Sequence, residues 1–511
     1  MSRRKIIAFD LGTSGNKASL YDADGTCLES TFVAYETFYP LAGLHEQRPE
    51  DWLRAIKAST QELVARRPGD AADIGCLAIS GHSLGAVPLD QQGRLLREST
   101  PIWSDARAEV QAAQFFRRQD PEAWYLRTGN GFPPHLYTLF KILWYREHEP
   151  EMFSQIDKVI GTKDYINFRL TGRVCTDPSY ASGSGVYDLA QWQYSEPIIV
   201  NSGLPRELFP EIVPSTQVIG EIRPSIAREL GLPNGVQVMA GGVDNSCMAL
   251  GARNIADGRV YTSLGSSAWI AVSSRRPVLE RQHRPYVFAH VIPGLFTSAV
   301  SIFSAGTSLR WVRDTLCADL RHESDKDAYA LMDKAAACSP VGARKLIFNP
   351  SLAGGSSQEA SPHIRGAFVG LDLRHRRDDL VRACLEGIAM NLGAVLQTFR
   401  DLATLSHEMT MVGGGSRSAL WLQIFADVYG MDVVKTNINQ DAGSLGAAAL
   451  GAIGCGWWKN FDWIDEIHQV QARLKPIEAN VAKYRDLREV FELVRRQQAE
   501  VGDLLNTVKL E

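Results

Sequence analysis

The sequence predicts an α/β protein built from two domains of related layout. Three observations carry that prediction. Short buried-strand patterns alternate with helical ones along the chain. The strand, small-residue turn, strand pattern that opens the chain returns at 258–274 as GRVYTSLGSSAWIAVSS. The 511 residues, 45% hydrophobic and 22% charged, suit about two to four globular domains with substantial cores.

The elements follow in order. KIIAFDLGTSGNKASLYDADGTCLE at 5–29 reads as a buried strand, a glycine-rich turn, a second strand and an Asp-Gly hairpin. Residues 52–65 space their apolar side chains as a helix does, and CLAIS at 76–80 is another buried strand. AVPLDQQGRLL at 86–96 gives a strand, a turn over Asp90 to Gly93 and the start of a strand. The stretch from about 105 to 175 is mostly helical, with KILWYREHEPEMF at 141–153 its clearest piece. VQVMAGGVDNSCMALGA at 236–252 is a strand, a tight turn and a helix. After the repeat of the opening pattern, helical runs come near 378–400 and 418–429 and in the tail from about 464; LDLRHRRDD at 371–379 is a solvated turn. The expected division is 1–252 and 253–511.

Composition excludes several function classes. The 54 lysines and arginines against 58 aspartates and glutamates give a net charge of −4, with no basic stripe for nucleic acid. The N-terminal apolar run breaks at Asp10, and no segment offers about eighteen apolar residues for a membrane span, so a cytoplasmic protein is expected. The eight cysteines form no CxxC and are expected as reduced thiols. GxxxxGK[ST], HExxH and a full GxGxxG are absent. GHSLG at 81–85 matches GxSxG, but Pro88 follows where a nucleophile elbow needs its helix.

Three constellations remain. DLGTSGNK at 10–17 places Gly12, Thr13, Ser14 and Gly15 in a turn whose backbone N–H groups and hydroxyls suit phosphate oxygens. Asp10 at the strand end suits a hydrated Mg²⁺. An ordinary glycine hairpin is the alternative; the echo SLGSS at 263–267 favours two turns gripping one polyphosphate. GGVDNS at 241–246 puts Asp244 between strand and helix, either as a helix cap or as the carboxylate that takes a proton from an attacking hydroxyl. MVGGGSRSALW at 411–421 is a strand, a triple-glycine turn and a helix, able to seat a flat ring against Gly413 to Gly415 or simply to connect the two elements.

Taken together and in order, DLGTSGNK, GGVDN, SLGSS, GAFVGLDLRHRRDDLVRACLE and GGGSRS resemble the FGGY carbohydrate kinases over essentially the whole chain. EQRPEDW, KILWYREHEPEMF and TKDYINFRLTG are most similar to the xylulokinase members. The resemblance implies two ribonuclease-H-like domains of the actin and hexokinase type flanking a central cleft. It implies ATP with Mg²⁺ as cofactors, a sugar substrate and no nucleic acid or membrane partner. Family members are often dimers.

By motif, Asp10 would serve Mg²⁺, and Thr13, Ser14, Gly265, Ser266, Gly306, Gly414, Gly415 and Ser418 the nucleotide. Asp244 would be the general base. His82, Ser83, Trp103, Asp105, Asp244 and Asn245 would border the sugar. An aspartate at its ordinary pKa near 3.9 would be a weak base. Where these kinases carry QMHG this chain has HSLG, and where they carry GERTP it has GGSSQEASP at 354–362. A pentulose such as xylulose is the expected acceptor. Another sugar or polyol (a tetrulose, ribulose or a glycerol-like compound), an inactive sugar- or nucleotide-binding regulator and an actin-like ATPase stand as alternatives.

Overall fold

The computed structural model describes residues 4–321 and 327–509. The chain forms two compact units, the first comprising 1–257, 273–298 and 441–467, the second 258–272, 299–440 and 468–511. The backbone therefore crosses between units at five points.

In the first unit, β1 (Lys5–Leu11), β2 (Gly15–Asp22), β3 (Cys27–Ala34), β4 (Ile74–Gly81), β5 (Val218–Glu221) and β6 (Gln237–Met239) pair in the order β5-β6-β4-β1-β2-β3, with the short β7 (Gly242–Val243) also on β4. β1, β2 and β3 are antiparallel, whereas β1, β4 and β6 run parallel. Parallel central strands are covered on both faces, which is why IIAFDL and CLAIS are apolar almost throughout. Helix α1 (Pro49–Arg66) buries Trp52, Leu53, Ile56 and Leu63 in the core shared with Ile7, Phe9, Leu77 and Ile79. Helices α2 (Thr138–His148), α3 (Thr162–Thr171) and α4 (Asp244–Gly251) are among the other helices of this unit.

The second unit repeats the plan. β8 (Val260–Leu264), β9 (Ala268–Ser274) and β10 (Phe296–Ile302) precede helices α5 (Gly306–Leu316) and α6 (Arg377–Leu402). Then come β11 (Glu408–Val412), helix α7 (Ala419–Tyr429) and β12 (Asp432–Thr436). The chain returns to the first unit for helix α8 (Ala442–Gly454) and ends in the second with β13 (Val470–Leu474) and helix α9 (Glu478–Thr507). The path β10-β9-β8-β11-β12-β13 follows the order β3-β2-β1-β4-β6-β5, with one further strand, Tyr286–Ala289, beyond β10. Polarity agrees too: β8 is antiparallel to β9 and parallel to β11, and the last strand of each path is antiparallel to its neighbour. This is the ribonuclease-H-like layout in both units. The tail differs from the expected helical run, since β13 extends the second sheet before α9 begins.

Candidate active site

β-sheet register assembles the acidic centre. Asp10, at the exit of β1, lies opposite Lys17 on β2 and Ser80 on β4. Ser80 Oγ donates to Asp10 Oδ1 at 3.0 Å, and Lys17 pairs with Asp441. The start of α8 comes close on the other side: a Cβ on Gly443 would stand 2.7 Å from Asp10 Oδ2. Only glycine permits that approach. Burial raises the Asp10 carboxyl above its ordinary value, against the Ser80 hydrogen bond and the Lys17 charge.

The turn after β1 has its acceptors occupied. Gly12 N donates to Gly15 O at 3.0 Å. Tyr35 Oη donates to Gly12 O, Gln47 Nε2 to Thr13 O at 2.7 Å, and Trp103 Nε1 to Thr13 Oγ1 at 2.9 Å. Among the described residues no hydrogen bond is drawn from the N–H groups of Thr13 or Ser14, and that arrangement suits an incoming anion.

Asp244 opens α4, and the N–H and Nδ2 of Asn245 donate to its Oδ1 at 2.8 and 2.9 Å. Burial, and then the negative charge of Asp10, pushes its pKa up to about 7. Both causes disfavour the charged carboxylate and so make it a stronger base than a solvent-exposed aspartate.

The turn leading to Asp244 is fixed from beneath. Gly241 has φ 74°, and a Cβ there would meet Ile79 O at 2.2 Å. Ala240 O accepts from Lys163 Nζ at 3.1 Å and Asn167 Nδ2 at 2.9 Å, and Val243 N donates to Ser179 Oγ at 2.9 Å. Lys163 is wholly buried and pairs with Asp164 at 2.5 Å and Asp177 at 3.0 Å, carboxylates that keep it ionised.

The other expected sugar residues occupy different depths. Trp103 is 37% exposed. Asp105 is fully buried, accepting from Arg107 Nε and Nη2 at 2.7 and 2.8 Å and from His45 N at 2.7 Å. The His82 ring sits edge-on to Trp52 at 5.5 Å, with Nδ1 3.3 Å from Thr162 Oγ1. Its Nε2 has no partner among the described residues, and burial pushes the ring down to about 4, so it is neutral. Ser83 is buried and leads through Leu84 into the strand Val87–Leu89; no helix follows it, which removes the nucleophile elbow.

In the second unit, Gly265, Ser266, Gly306, Gly414, Gly415 and Ser418 all line one cavity of about 470 Å³. The hairpin between β8 and β9 is tied to α5: Ala305 N and Thr307 N donate to Ser266 O at 3.0 Å each, and Gly306 N to Gly265 O at 2.9 Å. A Cβ on Gly306 would stand 2.5 Å from Gly265 O. Ser418 Oγ caps α7 by accepting from Trp421 N at 3.0 Å, so its capping role is real. Arg310, Tyr329, Asp333 and Gln440 also line this cavity.

Sequence reasoning did not single out those four, nor Ser80, Asp441 and Gly443 around Asp10. The run AGSLGAAALG, small residues with no strong apolar stripe, carries little periodic signal. All eight cysteines are free, and among the described residues no helix is long and apolar enough to cross a membrane.

Residues 5–251 match the N-terminal domain of the FGGY family of carbohydrate kinases, and residues 260–455 match its C-terminal domain. A xylulose kinase of Bacillus subtilis is 30% identical over 508 residues, covering 99% of this chain and 98% of its own. The crystal structure of xylulose kinase from Rhodospirillum rubrum superposes with a TM-score of 0.88 at 28% identity, covering 98% of this chain and 100% of that one. A gluconate kinase from Lactobacillus acidophilus also gives 0.88, at 25% identity, covering 97% of this chain and 98% of that one. With both halves matched in order, the chain belongs to the FGGY family of carbohydrate kinases, phosphotransferases with an alcohol group as acceptor.

Proposed function

We propose that the protein transfers the γ-phosphate of ATP to a hydroxyl of a small ketose, a pentulose such as xylulose. The observation that carries the reading is the acidic pair, Asp244 pushed up to about 7 by burial and by the charge of Asp10, together with a turn in which, among the described residues, the N–H groups of Thr13 and Ser14 donate to no internal acceptor. In this reading the first unit, built mainly from 1–252, holds the sugar and the base, and the second holds the nucleotide.

Asp244 accepts a hydrogen bond from the acceptor hydroxyl, orients its oxygen and takes its proton as that oxygen bonds the γ-phosphorus and ADP leaves. Asn245 holds the carboxylate through Oδ1. Thr13 and Ser14 present backbone N–H groups and hydroxyls to the terminal phosphates. Trp103, hydrogen-bonded to Thr13, offers its ring to the sugar, and Ser83 would border it from the other loop; the buried His82 and Asp105 shape these loops.

The residues around Asp10 fit Mg²⁺. Asp10, a buried carboxylate at a strand end, would hold the ion, which would keep most of its waters. When bound, Mg²⁺ neutralises charge on the phosphates. Gly265, Ser266, Gly306, Gly414, Gly415 and Ser418 would border the nucleotide in the 470 Å³ cavity.

A panel of tetruloses, pentuloses, hexuloses, polyols and gluconate, assayed by coupled ADP release, tests the reading. Turnover greatest with a pentulose supports it. Gluconate preference would favour the activity named for the Lactobacillus acidophilus relative, and sugar-independent ATP hydrolysis as the main activity would refute kinase function.

A further inference from the structure

We propose that Lys141 is a positioning residue of the sugar site, fastening the 82–86 and 102–105 loops to one another through their backbone carbonyls. The inference rests on the reading that these loops meet the sugar. Thr138, Lys141 and Tyr145 follow one another at i, i+3 and i+7 on α2 and so share one face. That face grips three consecutive carbonyls. Thr138 Oγ1 donates to Gly85 O at 3.1 Å, Lys141 Nζ to Leu84 O at 2.8 Å and Tyr145 Oη to Ala86 O at 2.8 Å. Lys141 Nζ also donates to Ile102 O at 2.6 Å, immediately before Trp103. The lysine thus links the loop carrying His82 and Ser83 to the loop carrying Trp103 and Asp105.

Two features argue that this is more than packing. Lys141 is fully buried, yet among the described residues its hydrogen bonds go to carbonyls and none to a carboxylate. Such a group is costly to bury, and an apolar residue would fill the space without that cost. Leu84, whose carbonyl the lysine holds, has φ 60°, a left-handed conformation that a leucine keeps only where its surroundings impose it.

Burial pushes Lys141 down to about 7, with Asp105 opposing the shift and Arg107 adding to it; His82 and His135 also face it and are themselves pushed down. A neutral amine still has two N–H donors for two carbonyls, so the clasp survives on both sides of neutrality.

The full-length Lys141→Met variant keeps a long stem and removes the donors. The expected result is a rise of about tenfold in KM for the pentulose with KM for ATP unchanged. Should that variant fail to fold, Thr138→Val with Tyr145→Phe removes the flanking donors at nearly constant shape, and a several-fold rise confined to the sugar KM is expected. An unchanged sugar KM in a folded variant, or sugar and ATP constants that move together, overturns the inference. A wild-type enzyme that phosphorylates no sugar overturns the functional reading and the inference with it; a normal wild type with an unaltered variant overturns the inference alone.

Discussion

Asp244 is placed where the fold pays for it. Its ionised form is disfavoured by burial and by Asp10, so the folded pKa, about 7, exceeds the ordinary 3.9 of an unfolded chain. A group raised in this way contributes stability that is fully present below about pH 4 and is lost as pH climbs to about 7. Asp244→Asn is therefore expected to raise Tm by a few degrees at pH 8 in a calorimetric scan while reducing kcat by about a thousandfold or more. Sugar binding, followed by calorimetric titration, should change little. An Asn variant with near-normal turnover would remove the base assignment. The same pKa predicts that kcat/KM for the sugar falls tenfold per pH unit on the acid side of about 7, a limb visible in a pH–rate profile. GGVDN drew attention to this aspartate, whereas its raised pKa was not legible, because it comes first from burial in the folded protein and then from the charge of Asp10, more than two hundred residues away in the chain.

At the level of elements, the opening hairpins, the strand at 74–81, the helix at 49–66 and the glycine turn before 419–429 were all readable, since each couples strong apolar periodicity to a glycine punctuation mark. α8 was not. Its alanines and glycines give no stripe, and its meaning lies in what small residues admit: a Cβ on Gly446 would fall 1.9 Å from Cys247 O, and one on Gly443 would press on Asp10. Gly443→Ala is expected to displace the Asp10 carboxylate, raise the Mg²⁺ concentration for half-maximal turnover and lower kcat about tenfold or more, with a near-native circular dichroism spectrum. A metal titration of turnover checks it. His82 shows what a motif leaves open. Its place in the loop after a strand suggested a sugar contact, but burial against Trp52 is a tertiary outcome that one strand-end motif does not encode.

For the whole molecule, the repeated strand order was anticipated by the two matching hairpins, while the interleaving of the chain was not. The first unit takes in 273–298 and 441–467, and α8 from the latter covers its central strands; a Cβ on Gly451 would stand 2.9 Å from Cys76 Sγ on β4 and 3.3 Å from Ile6 on β1. A fragment comprising 1–252 should therefore expose that apolar surface. It is expected to aggregate or bind a hydrophobic dye, whereas the complete chain melts cooperatively; a soluble, folded fragment would contradict the contribution assigned to α8.

This interleaving also bears on how acceptor preference can be exchanged between relatives. A recombinant joined at a single breakpoint near the middle would place one kinase's acidic centre under another kinase's glycine-lined cover, with Asp10 and Gly443 drawn from different parents. Productive chimaeras would have to inherit three stretches of gene as a set, so that the aspartate and the glycine it faces arrive from the same ancestor.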